Sequence, residues 1–77
     1  MKIIFSHHAL IKIKQRELVK RLVIETVLHP DVVRSSYSSR EERYKRFKKI
    51  WLKVVIISLK ETIIVVTAHW VAKPKRN

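Results

Sequence analysis

Leu52-Lys53-Val54-Val55-Ile56-Ile57-Ser58-Leu59, then Lys60-Glu61, then Thr62-Ile63-Ile64-Val65-Val66-Thr67-Ala68-His69 is the stretch that decides the fold. Leu52–Leu59 and Ile63–His69 are rich in β-branched residues, which suit a pleated, half-buried surface. The charged pair Lys60-Glu61 is the natural turn between them, so the stretch reads as an antiparallel hairpin. The chain has no Gly, so this turn lacks the usual primed-turn chemistry. Both runs are nearly continuously apolar. Their strands therefore belong at the centre of a sheet, covered on one face by helices.

The neighbouring segments extend this frame in both directions. Arg43–Phe47 is ambiguous: Tyr44, Phe47 and Trp51 fit a helical period, while Phe47, Trp51 and Val55 fit a strand. The strand is favoured because the β-branched run at Leu52 continues it. Val32–Tyr37 reads as an edge strand running into a loop with Ser38 and Ser39. Upstream, Leu18, Leu22, Val19, Val23 and Val27 recur at helical spacing, with Lys20, Arg21 and Glu25 on the other side. Residues 17–29 are thus an amphipathic helix. It ends at His29-Pro30, because the residue before proline is pushed out of helical geometry. His8–Gln15 forms a shorter first helix, with Ser6 as N-cap. No Gly or Pro near Arg16 says whether the two helices are separate or one kinked rod. Ile3-Ile4-Phe5 is a short strand, and the tail from Lys73 to Asn77 is expected to be loose. The order is β-α-α-β-β-β-β. The expected fold is α+β, with two N-terminal helices packed on an antiparallel sheet of about four strands in a two-layer sandwich.

Composition narrows the function classes. The 77 residues allow one domain, 1–77, and 47% hydrophobic content argues against disorder. Eighteen Lys and Arg face six Asp and Glu, a net charge of +12. Such an excess points to a polyanionic partner. Residues 1–39 hold seven cations and three acids, and residues 40–77 hold eleven and three, so the second half carries most of the field. The absence of Cys removes disulfides, thiolate metal sites and a Cys nucleophile. The absence of Gly removes phosphate-cradling Gly loops. No apolar stretch approaches the ~20 residues of a spanning helix, and the first residues do not resemble a leader. No membrane association is expected, and the cytoplasm is the expected location.

The residues Phe5-Ser6-x-His8-Ala9, Lys12, Arg16 and Val27-Leu28-x-Pro30-Asp31 resemble a pattern found in an uncharacterised family of small RelE/BrnT-like proteins. Glu42-Arg43-Tyr44, Leu52-x-Val54-Val55 and Ile64-Val65-Val66-Thr67-Ala68 are similar to the rest of that pattern. The resemblance spans about Phe5 to about Val71. It implies a fold similar to the toxins of toxin–antitoxin pairs, a metal-independent endoribonuclease activity and an acidic antitoxin partner. The chain departs from the pattern at Lys12, where Arg is usual, and at Glu17, where Gly usually follows Arg16.

Metal-free RNA cleavage needs a base for the ribose 2′-OH, an acid for the leaving oxygen, and cations for the phosphorane. His8 heads the first helix, where the dipole favours phosphate and a neutral imidazole; it also suits plain capping. Lys12 and Arg16 follow at i+4 and i+8 on the same side, either as a phosphate ladder or as a solvated basic face. Thr67 and His69 alternate on the last strand and share a face. Thr67 can donate to a phosphate and His69 can serve as general acid, or both simply mark the strand end. Arg43 and Tyr44 complete the candidate catalytic set. Arg40, Lys45, Arg46, Lys48, Lys49 and Lys53 are candidate nucleic-acid contacts. Tyr44, Phe47 and Trp51 interleave with them, as in single-strand binding; the plainer alternative is an edge strand loaded with Lys. Strand alternation would place Arg43, Lys45, Phe47 and Lys49 on one face. The four His have no partners at ligand spacing, so neither a metal nor a cofactor is expected. Three functions follow: a metal-independent endoribonuclease toxin, a non-catalytic nucleic-acid-binding module, or a structural subunit for an acidic partner. Self-association is compatible with all of them.

Overall fold

A computed structural model describes residues 1–74. The order is β1 (Lys2–Phe5), α1 (His7–Gln15), α2 (Lys20–Leu28), β2 (Val32–Ser35), β3 (Arg40–Phe47), β4 (Ile50–Leu59) and β5 (Thr62–Val71). The α+β class and the element order match the expectation. The sheet does not: it has five strands in the order β1-β5-β4-β3-β2, and it is mixed. β1 runs parallel to β5, with Ile3 beside Ile63 and Phe5 beside Val65. A four-residue strand with no hairpin turn of its own carries no local signal of its partner. Here that partner lies at the other end of the chain. β2 is the other edge, so the basic strand β3 is interior rather than an edge. Lys73 and Pro74 follow β5, and the rest of the expected loose tail, 75–77, lies outside the described residues.

Both helices cover one face of the sheet, α1 over β5 and α2 over β3 and β4. The core between the layers joins Ala9, Ile13, Leu18, Val23 and Val27 to Leu52, Val54, Ile56, Ile63, Val65 and Ala68. Among the described residues no helix lies over the other face of the sheet, an arrangement that antiparallel sheets tolerate.

Three turns need positive φ, at four residues in all, and no Gly is present to supply it. Glu17 (φ 52), Ser38 (φ 55), Ser39 (φ 61) and Lys48 (φ 61) take the left-handed conformation instead. Ser38 and Ser39 form the centre of the β2–β3 turn, closed by the Arg40 N–H on the Tyr37 carbonyl at 3.0 Å; two successive positive φ values define a type I′ turn. Glu17 separates the two helices. The Leu18 N–H donates to the Ile13 carbonyl at 2.9 Å and the Glu17 N–H to the Lys14 carbonyl at 3.2 Å. This is a Schellman stop with Glu in the usual Gly position. α2 is therefore shorter than the expected 17–29. A non-Gly residue in this region costs on the order of 1 kcal/mol or more. Glu17→Gly is expected to raise stability by roughly 0.5–1 kcal/mol net of the lost backbone entropy. Urea unfolding measures it, and a lowered midpoint would contradict the cap.

Candidate nucleic-acid interface and catalytic cluster

Strand pairing sorts the basic residues between the two faces. On β3, Glu41, Arg43, Lys45 and Phe47 lie opposite Ile56, Val54, Leu52 and Ile50 of β4. Three of those partners are core residues, so this is the helix-covered face. Arg43, Lys45 and Phe47 do share a face, but it is not the free one. The Arg43 guanidinium donates to the Val27 carbonyl and pairs with Glu41 at 2.6 Å. Lys45 Nζ donates to the His29 carbonyl at 3.0 Å. Both cations therefore cap the end of α2, where unpaired carbonyls and the dipole favour positive charge. Lys49 lies in the exposed β3–β4 turn with Lys48.

The open face carries Glu42, Tyr44 and Arg46 on β3, with Val55, Lys53 and Trp51 beside them on β4. Thr67, His69 and Val71 of β5 continue these rows. That placement depends on a bulge. Ile56 pairs with Val65 but Val55 pairs with Thr67, leaving Val66 as the extra residue. Ile63 and Val65 face the core, so unbroken alternation would turn Thr67 and His69 into the core as well. The bulge re-aims them to the open face, a common use of bulges, and turns Ala68 and Trp70 inward. The edge at the bulge is held by the start and end of α1. The Ser6 N–H donates to the Val65 carbonyl at 3.0 Å, and Ser6 Oγ donates to the Val66 carbonyl at 3.4 Å. Arg16 Nη1 donates to the Ala68 carbonyl at 2.7 Å and to Thr67 Oγ1 at 3.3 Å. Ser6 Oγ also accepts from the Ala9 N–H at 3.0 Å, which is the N-cap its position implied.

The structure thus brings together Arg16, Thr67 and His69, with Lys53 across the strand from His69. Burial pushes the His69 pKa below its ordinary value, and the Lys53 and Arg16 charges push it further down against a small opposing pull from Glu42. Its imidazole is therefore neutral at neutral pH and suits a base better than an acid. Tyr44 sits one row across. Its O–H donates to Glu42 Oε1 at 2.8 Å, and Lys53 Nζ lies 3.6 Å from Glu42 Oε2. Burial, the Glu42 hydrogen bond and the Glu42 charge raise the Tyr44 pKa to about 12, against the Arg34 charge. Burial alone would raise Glu42. The Tyr44 hydrogen bond, the Lys53 charge, and further hydrogen bonds from Ser36 and Lys53 outweigh it, so the carboxyl sits below its ordinary value.

The other candidates lie elsewhere. His8 is exposed on the first turn of α1. Lys12 Nζ donates to Gln15 Oε1 at 3.4 Å, and neither residue is among the groups that set the His69 pKa. Arg46 is exposed and its Nε holds the Lys48 carbonyl at 2.7 Å; Arg40 is exposed at the start of β3. The aromatics divide too. Phe47 packs edge-on against Trp70 on the core side, 5.9 Å between centroids. Tyr44 is only 5% exposed, under the Arg34 guanidinium at 5.8 Å and the Lys53 ammonium at 6.0 Å. Of the three, Trp51 alone offers the open face a half-exposed ring. Sequence reasoning missed Glu42, Arg34 and Lys73. The i, i+2 spacing of Glu42 and Tyr44 was the available signal for Glu42.

Among the described residues, no three His, Asp or Glu cluster as metal ligands. No helix among the described residues is long and apolar enough to cross a membrane. A recess of about 800 Å³ at the β4–β5 turn is bounded by Met1, Lys2, Lys60, Glu61 and Thr62 and holds none of the candidate residues. The fold class is therefore α+β, with a basic cluster on the open face of the sheet. Comparison with protein-family models, curated proteins and solved structures finds no match to the chain.

Proposed function

We propose that the chain is a RelE/BrnT-like toxin that cleaves single-stranded RNA without metal on the open face of its sheet. The observation that carries this reading is the placement of His69 opposite Lys53, beside Thr67 and Arg16, on the face of the sheet away from the helices. His69 takes the proton from the ribose 2′-OH as O2′ attacks phosphorus. Arg16 and Lys53 offset the charge that develops on the phosphorane. The P–O5′ bond breaks, and Lys53 gives a proton to the leaving oxygen. The products are a 2′,3′-cyclic phosphate and a 5′-hydroxyl, and solvent restores both side chains. Thr67 adds a hydroxyl to the phosphate site. Tyr44 stays protonated and is a positioning residue that fixes Glu42 against Lys53. An acidic antitoxin is the proposed partner and the cytoplasm the proposed compartment.

Labelled single-stranded RNA in EDTA tests the reading. Cyclic-phosphate ends are expected without added metal. RNA left intact over a wide range of pH and protein concentration refutes cleavage. RNA that is bound but never cut makes the chain a non-catalytic binding module, the second reading. Its support is that Arg34, Arg46 and Lys73 add charge to the open face beyond what the chemistry uses. In either case the affinity is expected to fall steeply with salt. Five phosphate contacts, at Arg16, Arg34, Arg46, Lys53 and Lys73, correspond to a log–log slope of roughly −3.5. A flat salt dependence argues against phosphate binding on this face.

A further inference from the structure

A second recess lies on the open face beside the catalytic cluster. It measures about 400 Å³, and Arg34, Glu42, Tyr44, Lys53, Val71 and Lys73 bound it. This volume lies within the ~300–1,000 Å³ of small-molecule sites. Its lining is three cations, an apolar wall and one carboxylate. We propose that this recess is a nucleobase subsite that selects guanine, with Glu42 as the reading group; it rests on the RNA function proposed above.

Among the described residues that bound the recess, Glu42 is the only anion, beside three cations. Oε1 accepts from Tyr44 and Oε2 faces Lys53. A carboxylate has about four lone-pair sites; Ser36 takes a third, so a base edge with two donors fills the last site and displaces the Ser36 hydroxyl. A carboxylate pairs best with two adjacent N–H donors. Among the four bases, guanine alone presents such a pair on its pairing edge, N1–H beside the N2 amino group. Adenine and cytosine place a ring acceptor next to their amino group, and that lone pair repels the carboxylate. Uracil places its N3–H between two carbonyls. The Tyr44 ring is already occupied by Arg34 and Lys53, so discrimination falls to the hydrogen-bonding edge and not to stacking. Lys53 lines the recess and is paired in register with His69. A base bound here therefore adjoins the phosphate beside His69.

Calorimetric titration of the full chain with the four nucleoside 5′-monophosphates tests the proposal. GMP is expected to bind at least about tenfold more tightly than AMP, CMP or UMP. Glu42→Gln keeps an oxygen to accept from Tyr44 and is expected to bring the four affinities together. Lys73→Ala is expected to weaken all four alike. Equal affinities in the wild type, no binding of any nucleotide, or a GMP preference that survives in Glu42→Gln overturns the proposal. If Glu42→Gln does not fold, GMP-induced NMR shifts in the wild type decide, since they must centre on Arg34, Tyr44 and Val71. The two ideas fail separately. A GMP preference without RNA cleavage removes the enzyme and leaves the subsite. Cleavage with no base preference, together with equal nucleotide affinities, does the reverse.

Discussion

His69→Gln is expected to lower RNA cleavage by about a hundredfold to ten-thousandfold, the usual contribution of a positioned general base. Binding to uncleavable RNA is expected to stay within about twofold, because the imidazole is neutral at neutral pH and removing it costs no phosphate contact. The matched control is His8→Ala. His8 heads α1 and takes no part in the contacts around His69, so its loss is expected to leave the rate unchanged. A His69 variant that cleaves at the wild-type rate, or a His8 variant that loses activity, refutes the placement of the base on β5.

The same imidazole predicts a pH signature. Burial, Lys53 and Arg16 hold the folded pKa below 6.5, so the acidic limb of the rate profile lies below that value. Lys53→Met removes one of the opposing charges and is expected to move the His69 pKa, read by NMR titration of the imidazole, upward toward 6.5. The shift stays partial, because burial is the first cause and is left in place. Stability follows by linkage. The unfolded chain binds the proton more readily than the fold does, so this contribution is present above 6.5 and is lost as pH falls below it. The change in urea midpoint between about pH 7.5 and about pH 5.5 is therefore expected to be smaller in His69→Gln than in the wild type.

How far the sequence reveals this molecule depends on the range of each signal. The β4–β5 hairpin is legible because two β-branched runs flank one charged pair. The Ser6 cap is legible because a cap is a contact over three residues. The break at Glu17 is not, since Gly is the usual mark of a left-handed stop and the chain has none. The pairing of β1 with β5 joins the two ends of the chain and leaves no local trace. The candidate cluster is half legible. Thr67 and His69 stand out as polar residues in an apolar run. Alternation counted from Ile63, however, places them in the core, and only the extra residue Val66 corrects the phase. For β3 the reverse holds. Its alternation is regular, but periodicity does not say which face the helices cover. The sequence therefore reads Arg43 as catalytic and Lys45 as a nucleic-acid contact, although both serve α2.

Arg43→Ala is accordingly expected to behave as a stability variant rather than an activity variant. The guanidinium joins β3 to the end of α2 through the Val27 carbonyl, and it neutralises Glu41 at 2.6 Å. Hydrogen bonds involving a charged group contribute about 1.5–3 kcal/mol. Removing the side chain also leaves a helix-end carbonyl and a half-buried carboxylate without their partner. The Glu41 pair itself adds little, because both side chains keep some exposure to solvent. A loss of about 2–3 kcal/mol follows, which in a domain of this size lowers Tm by roughly 10–20 °C. Below the new Tm, cleavage per folded molecule is expected to match the wild type, since Arg43 lies on the opposite face from His69. Arg43→Lys tests the same point more gently: an ammonium can reach the Val27 carbonyl but cannot hold Glu41 and the carbonyl in one planar fork. Its Tm is expected to fall between those of Ala and wild type. A fully stable Arg43→Ala that no longer cleaves RNA would return Arg43 to the site and place the phosphate on the helix-covered side.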